Sequence, residues 1–214
     1  ALEEIGADFE AVSGNVVTFS FGGSQTLAQQ VVSGAPVDLI IAAGEFPVQF
    51  LVDRNLVLSE PVDLLTTKLV TVIPQGVDRL KSLQDLTGPD LSKIAIAAPA
   101  LAPAGAYSRE ALINLGLWEQ IEKKLVFGPD VRATLAYVES GNVDAALVYE
   151  TDAQLSDEVD ILDIVPIESY SPVIYPVALL HDAPNKRGST LFLEFLTGPH
   201  ASKIFRSLGF QPAQ

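Results

Sequence analysis

The sequence predicts an α/β protein with mostly parallel sheets flanked by helices, arranged as two similar lobes. Three observations predict it. Apolar, β-branched runs alternate along the chain with amphipathic helical stretches, as successive βαβ units require. The runs at 37–43 and 143–149 are almost wholly apolar, which suits strands covered on both faces. Finally, Gly34-Ala35-Pro36-Val37-Asp38-Leu39-Ile40-Ile41 and Gly141-Asn142-Val143-Asp144-Ala145-Ala146-Leu147-Val148 each pass from a helix stop through Val-Asp into an apolar strand.

Taken in order, residues 1–11 read as a helix with Leu2, Ile5 and Phe9 on one stripe and no capping residue ahead of it. Residues 16–21 alternate and are rich in β-branched and aromatic side chains, so a strand is expected there. It leads into Gly22-Gly23-Ser24, where a helix starts whose buried face is Leu27, Ala28, Val31 and Val32 and whose stop is Gly34. Strand 37–43, a short helix at 47–54 and strand 68–74 follow. The pattern then repeats: strand 94–98, helix 104–115 closed by Gly116, strand 125–127, helix 131–140 capped by Asp130 and stopped by Gly141, and strand 143–149. Strand 175–180 and helices 189–196 and 199–208 complete the chain. Where one lobe's pattern gives way to the other's, at 68–74 and 175–180, the chain is expected to cross. The first lobe is then 1–67 plus 183–214, and the second is 68–182.

Composition narrows the function. With 214 residues the chain can bury a substantial core. Lys and Arg number 13 against 27 Asp and Glu, a formal charge of -14, which argues against nucleic acid or an anionic membrane as partner. Asp, Gly and Pro interrupt every apolar stretch before it could cross a membrane. Cysteine is absent, which excludes disulfides, thiolate catalysis and Cys-based metal sites. Methionine is absent too, so the natural protein is expected to begin ahead of Ala1, a cleaved secretory signal being one explanation.

The catalytic templates fail. Gly22-Gly23-Ser24-Gln25-Thr26 lacks the last glycine of a nucleophile elbow, and the two histidines, His181 and His200, are far from it in sequence. Phosphate-loop, dinucleotide and H-E-x-x-H patterns are missing. The reading is therefore of a non-enzyme, without cofactor and without direct cation ligands.

What remains is a set of helix starts that each follow a strand. Backbone N–H groups there have no intrahelical partner, and the helix dipole favours negative charge at that end. Ser24 opens one helix, Ala104-Gly105 after Pro103 opens a second, and Val131 after Gly128-Pro129-Asp130 opens a third. Loops at the carboxyl ends of strands gather in one crevice of an open α/β sheet. The same residues serve as routine caps in any α/β protein, and Tyr149, ending an apolar strand, is as readily a packed ring with a wet hydroxyl. Pattern alone leaves both roles open.

A resemblance bears on the choice. Phe21-Gly22-Gly23-Ser24-Gln25-Thr26-Leu27-Ala28, Gly34-Ala35-Pro36-Val37-Asp38 and Pro103-Ala104-Gly105-Ala106-Tyr107-Ser108-Arg109-Glu110-Ala111-Leu112 resemble the molybdate-binding receptors of ABC uptake systems. So do Leu115-Gly116-Leu117-Trp118, Asp130-Val131-Arg132-Ala133-Thr134-Leu135, Leu147-Val148-Tyr149-Glu150-Thr151-Asp152-Ala153, and the stretches Tyr175-Pro176-Val177-Ala178 and Gly209-Phe210. The likeness spans essentially the whole chain. It implies the two-lobed type II periplasmic-binding-protein fold with a tetrahedral oxyanion, molybdate or tungstate, in the cleft. It implies Ser24 as a donor through hydroxyl and backbone N–H, Ala104 and Val131 through backbone N–H, and Tyr149 through its hydroxyl. It also implies a monomer outside the cytoplasm, secreted by a signal peptide, with a membrane permease as partner. Two departures stand out: relatives carry a leading strand that ends in a further oxyanion-binding serine, and many have serine where this chain has Gly23. The alternatives are a receptor for sulfate or another tetrahedral oxyanion and, less favoured, the effector-sensing domain of a regulator.

Overall fold

In the computed structural model of the chain, residues 1–213 are described. They form two compact units, residues 1–66 with 174 onward, and residues 67–173.

The first unit is built on a sheet of β1 (Leu39–Ile41), β2 (Val62–Thr67), β8 (Val173–Leu179) and β9 (Gln211–Pro212), in the order β1-β8-β2-β9. Around it lie α1 (Leu2–Ser13), α2 (Ser24–Val32), α3 (Glu45–Val52), α8 (Lys186–Leu196) and α9 (Pro199–Ser207). One core gathers Ile5 and Phe9 of α1 with Leu64, Val177, Phe192 and Leu196. A second packs Ala28 of α2 and Leu51 of α3 on Ile40 and Ala178. Each large apolar side chain buried in this way contributes roughly 1.5–3 kcal/mol.

In the second unit the sheet order is β5-β4-β6-β3-β7, from β3 (Leu69–Pro74), β4 (Ile94–Ala97), β5 (Leu125–Gly128), β6 (Ala145–Tyr149) and β7 (Val159–Ile164). β4 is parallel to both β5 and β6, whereas β3 is antiparallel to β6 and β7. The helices are α4 (Pro103–Asn114), α5 (Trp118–Ile121), α6 (Val131–Glu139) and α7 (Glu150–Ala153). Leu135 and Val138, three apart on α6, press on Val70, Val72 and Val148, as helical periodicity demands of a face laid on a sheet.

Most expected elements are present with ends shifted by a few residues, and the structure departs from expectation in five places. Residues 16–21 form no strand: Val17 and Phe19 do point into the first unit's core while Val16, Thr18 and Ser20 face solvent, but the segment is held by the Glu10 carboxylate, which accepts from Val17 N–H at 2.6 Å, rather than by a ladder. β1 is not in a parallel ladder; it runs antiparallel to β8. The sheets are not mostly parallel: β1–β8 and β2–β9 in the first unit and β3–β6 and β3–β7 in the second are antiparallel, because strands reached by long connections return in the opposite sense. Residues 174–182, expected with the second lobe, belong to the first unit, since β8 lies between β1 and β2 in that unit's sheet and its last three residues pair with β1. Strands β2, β7 and β9 were not foreseen.

Asp144, from the second Val-Asp motif, staples the second unit at the foot of β6. Its carboxylate accepts from the N–H groups of Ser92 and Lys93 at 2.8 and 3.0 Å and pairs with the Arg79 guanidinium. Partial burial disfavours its charge, but the Lys93 and Ser92 N–H groups, with Arg79, more than offset that, and the carboxyl titrates below its ordinary value of 3.8. A lowered folded-state pKa stabilises the fold above the unfolded value and loses that contribution as pH falls through the folded one. Asp144→Ala is therefore expected to lower unfolding free energy by about 1–3 kcal/mol at pH 7. Urea titrations should show the gap between variant and parent narrowing as pH drops below the unfolded value of 3.8.

Candidate functional site

Three of the four expected ligand donors share one end of the second unit's sheet. β4, β5 and β6 are adjacent and parallel, so their carboxyl ends lie on the same edge. Each is followed by a helix: α4 after β4, α6 after β5, α7 after β6. Ala104 is the second residue of α4, Val131 the first of α6, and Tyr149 the last of β6 and the cap of α7. Helix geometry leaves the Ala104 and Val131 N–H groups without intrahelical acceptors and directs them outward from the sheet end. Tyr149 is only 1% exposed, its ring being part of the packed interior.

Local chemistry fixes these positions. Pro103 starts α4, where its missing N–H costs nothing. At Gly105 a Cβ would collide with the carbonyl oxygen of Ala97, the last residue of β4, so the first turn of α4 rests directly on the strand it follows. Next door, Ala98 N–H donates to Gly128 O at 2.7 Å and joins the loops that leave β4 and β5. α6 begins at Asp130, whose extended backbone and carboxylate form an N-cap: Oδ1 accepts from Ala133 N–H at 2.8 Å, worth about 1 kcal/mol. The Thr134 hydroxyl donates to Asp130 O at 2.7 Å, and a side chain on Gly128 would strike that hydroxyl.

Ser24, the fourth expected donor, belongs to the first unit. It is the first residue of α2 and 7% exposed. Its Oγ accepts from Ala43 N–H at 3.0 Å, tying the start of α2 to the loop after β1. Gly22 and Gly23 carry no left-handed backbone, and a Cβ at Gly22 would make only ordinary contact with Leu27. The glycine whose missing side chain lets helix and strand backbones meet is Gly105.

An ion pair that the sequence reading did not single out lies beside the second unit's donors. Arg132 Nε of α6 stands 2.8 Å from Asp152 Oδ1 of α7. Asp152 is 8% exposed, whereas the Arg132 side chain keeps 63% of its surface. Burial raises the Asp152 pKa; Arg132 opposes the shift and Asp130 adds to it. Its signal was faint: an acid three residues beyond Tyr149 reads as a solvated helix position until its burial is seen.

Both histidines are exposed and belong to the first unit, His181 with Asp182 and His200 with Asp8. Among the described residues no group of His, Cys, Asp and Glu could hold a metal ion, and no helix is long and apolar enough to cross a membrane.

Residues 1–211 match the family described as bacterial extracellular solute-binding protein. A Bacillus subtilis (strain 168) protein, provisionally named as the ABC transporter substrate-binding lipoprotein YvgL, is 36% identical over 213 residues, 98% of this chain and 81% of that one. The molybdate-binding protein ModA of Haemophilus influenzae is 33% identical over 218 residues, 98% of this chain and 85% of that one. In structure, the periplasmic molybdate-binding protein of Azotobacter vinelandii superposes with a TM-score of 0.88 at 24% identity, covering 100% of this chain and 94% of the other. That last likeness supports the fold.

The Gly105 contact yields a test. At an ordinary exposed helix position Gly→Ala stabilises by about 1 kcal/mol. With the Ala97 carbonyl in the way, Gly105→Ala is expected instead to destabilise by about 1–3 kcal/mol in chemical denaturation, the usual cost of overpacking.

Proposed function

Since the chain belongs to the bacterial extracellular solute-binding protein family, we propose that it captures molybdate, and tungstate with it, outside the cytoplasm for delivery to a membrane permease of an ABC uptake system. The observation that carries this reading is the gathering of two helix starts and Tyr149 at the ends of β4, β5 and β6; their N–H groups and phenol, all neutral, are the donors proposed in the second unit. Ser24 at the start of α2 is the donor proposed in the first unit.

Such a set selects by protonation. Hydrogen-bond donors favour an oxyanion that has lost all its protons, whereas phosphate near neutral pH keeps one and requires an acceptor. Two carboxylates close to these donors in the chain are engaged: Asp130 by the Ala133 N–H and Asp152 by Arg132. Molybdate and tungstate therefore outcompete phosphate. Sulfate carries no proton either, and its exclusion falls to size, because the larger oxyanion reaches donors that a smaller one leaves unpaired. Net charge does not decide the matter. At -14 the protein as a whole repels a dianion, but distant carboxylates are screened by salt over about 8–10 Å, while dipoles at the ligand act unscreened. No turnover step belongs to this reading; the ligand arrives and leaves unchanged, and no cofactor takes part.

Calorimetric titration with molybdate, then sulfate and phosphate in the same buffer, tests the proposal. Strong molybdate heats with little response to phosphate are expected. A preference for sulfate would favour the sulfate-receptor alternative, and silence toward all three would remove the oxyanion reading. Tyr149→Phe should weaken molybdate binding by about 1–3 kcal/mol, the cost of leaving a buried polar partner unmatched. Unchanged affinity would take Tyr149 out of the site.

A further inference from the structure

We infer that the Arg132–Asp152 ion pair is a positioning element for anion binding, holding the first turn of α6 in register with the chain that leaves Tyr149. The ligand in this inference is the oxyanion of the proposed function, on which it rests.

The geometry joins two donor segments that are not neighbours in sequence. Arg132 immediately follows Val131 in α6, and Asp152 lies in α7, the short helix that Tyr149 caps. Their 2.8 Å contact therefore spans from one donor's helix to the other's. It acts alongside the Asp130 cap, which orders the first turn of α6 only within itself. Removing a carboxylate from water is unfavourable, and packing would be served at least as well by an apolar residue at this nearly dry position. An aspartate there, met by a guanidinium, instead specifies one arrangement of α6 against α7.

Charge and position make opposite demands at Asp152. A carboxylate close to a dianion site repels the ligand, as do Asp130 and Glu150 near it in the chain. If Asp152 acted through its charge alone, Asp152→Asn would tighten binding. Arg132 offsets that charge while fixing the carboxylate in place, so the positional effect prevails, and the isosteric Asp152→Asn is expected to weaken binding.

The experiment is a double-mutant cycle on the full chain with sodium molybdate as ligand. Asp152→Asn and Arg132→Gln should each weaken binding about 3- to 30-fold, and the double variant should be no weaker than the poorer single, as for two residues acting as one unit. Arg132→Lys, which keeps a cation, should recover most of the loss. Unchanged or tighter binding by Asp152→Asn, or a lowered melting temperature with unaltered affinity, would overturn the inference and leave the molybdate reading standing. Should the parent chain itself not bind molybdate, that reading fails, and the positioning claim is decided on the ligand-free protein by hydrogen exchange. The Ala133 and Thr134 amides, both bonded to Asp130, should then exchange faster in Asp152→Asn and in Arg132→Gln than in the parent. Equal rates would refute it.

Discussion

The constraint on which the second unit's site depends is the contact of α4 with the strand it follows. Because no side chain fits between Gly105 and the Ala97 carbonyl, the helix start cannot drift from the sheet edge, and the Ala104 N–H is fixed by backbone against backbone. The neighbouring loop is tied to the same edge through Ala98 N–H and Gly128 O, so α6 begins from a point defined by β4 as much as by β5. Helix-start amides make useful anion donors only when held before the ligand arrives. Here the sheet supplies that order, since backbone bonded into a ladder is the least compliant part of a fold.

The same arrangement explains how an acidic protein can present an anion site. Local dipoles require no mobile side-chain cation, and they bring no strongly hydrated charge that must shed its water. Two of the charges close to the donors are matched in place: Asp130 caps the helix that carries Val131, and Asp152 meets Arg132. Carboxylates elsewhere, such as Asp144 at the opposite end of β6, serve the fold by accepting backbone N–H groups. Acidity overall and the proposed affinity for an anion are thus separate properties, one spread over the surface and the other resting on local dipoles at helix starts.

The alternation of helix and strand was plain in the sequence because the apolar period changes from element to element, and the Asp130 cap was readable from its type and place. Pairing was not. Residues 16–21 have the alternation of a strand, and Val17 and Phe19 do turn inward, but alternation describes a face and not a hydrogen-bonding neighbour. β1 reads as a buried parallel strand, yet its partner β8 lies far along the chain and runs the other way, a relation no local pattern encodes. β7 was missed because Asp160 and Asp163 break its apolar run, although an edge strand tolerates such residues well. In the site, Ala104, Val131 and Tyr149 were legible as ends of elements. The Arg132–Asp152 pair was not, because burial of an acid depends on what packs over it from elsewhere in the chain.

Ser24 shows how much one hydrogen bond can fix. A serine hydroxyl is ambiguous, able to donate or accept, and a site built from donors needs it to donate. In the first unit, Ala43 N–H occupies an Oγ lone pair at 3.0 Å, so the oxygen already serves as an acceptor and its proton remains for another partner. Accepting that bond also polarises the hydroxyl and makes it a stronger donor, since hydrogen bonds in series reinforce one another. The loop after β1 thus does for Ser24 what the strand end does for Ala104: it ties the start of a helix to the neighbouring strand end. The amide that takes up one lone pair of this helix-start serine comes from the close of the apolar strand that the first Val-Asp motif opens.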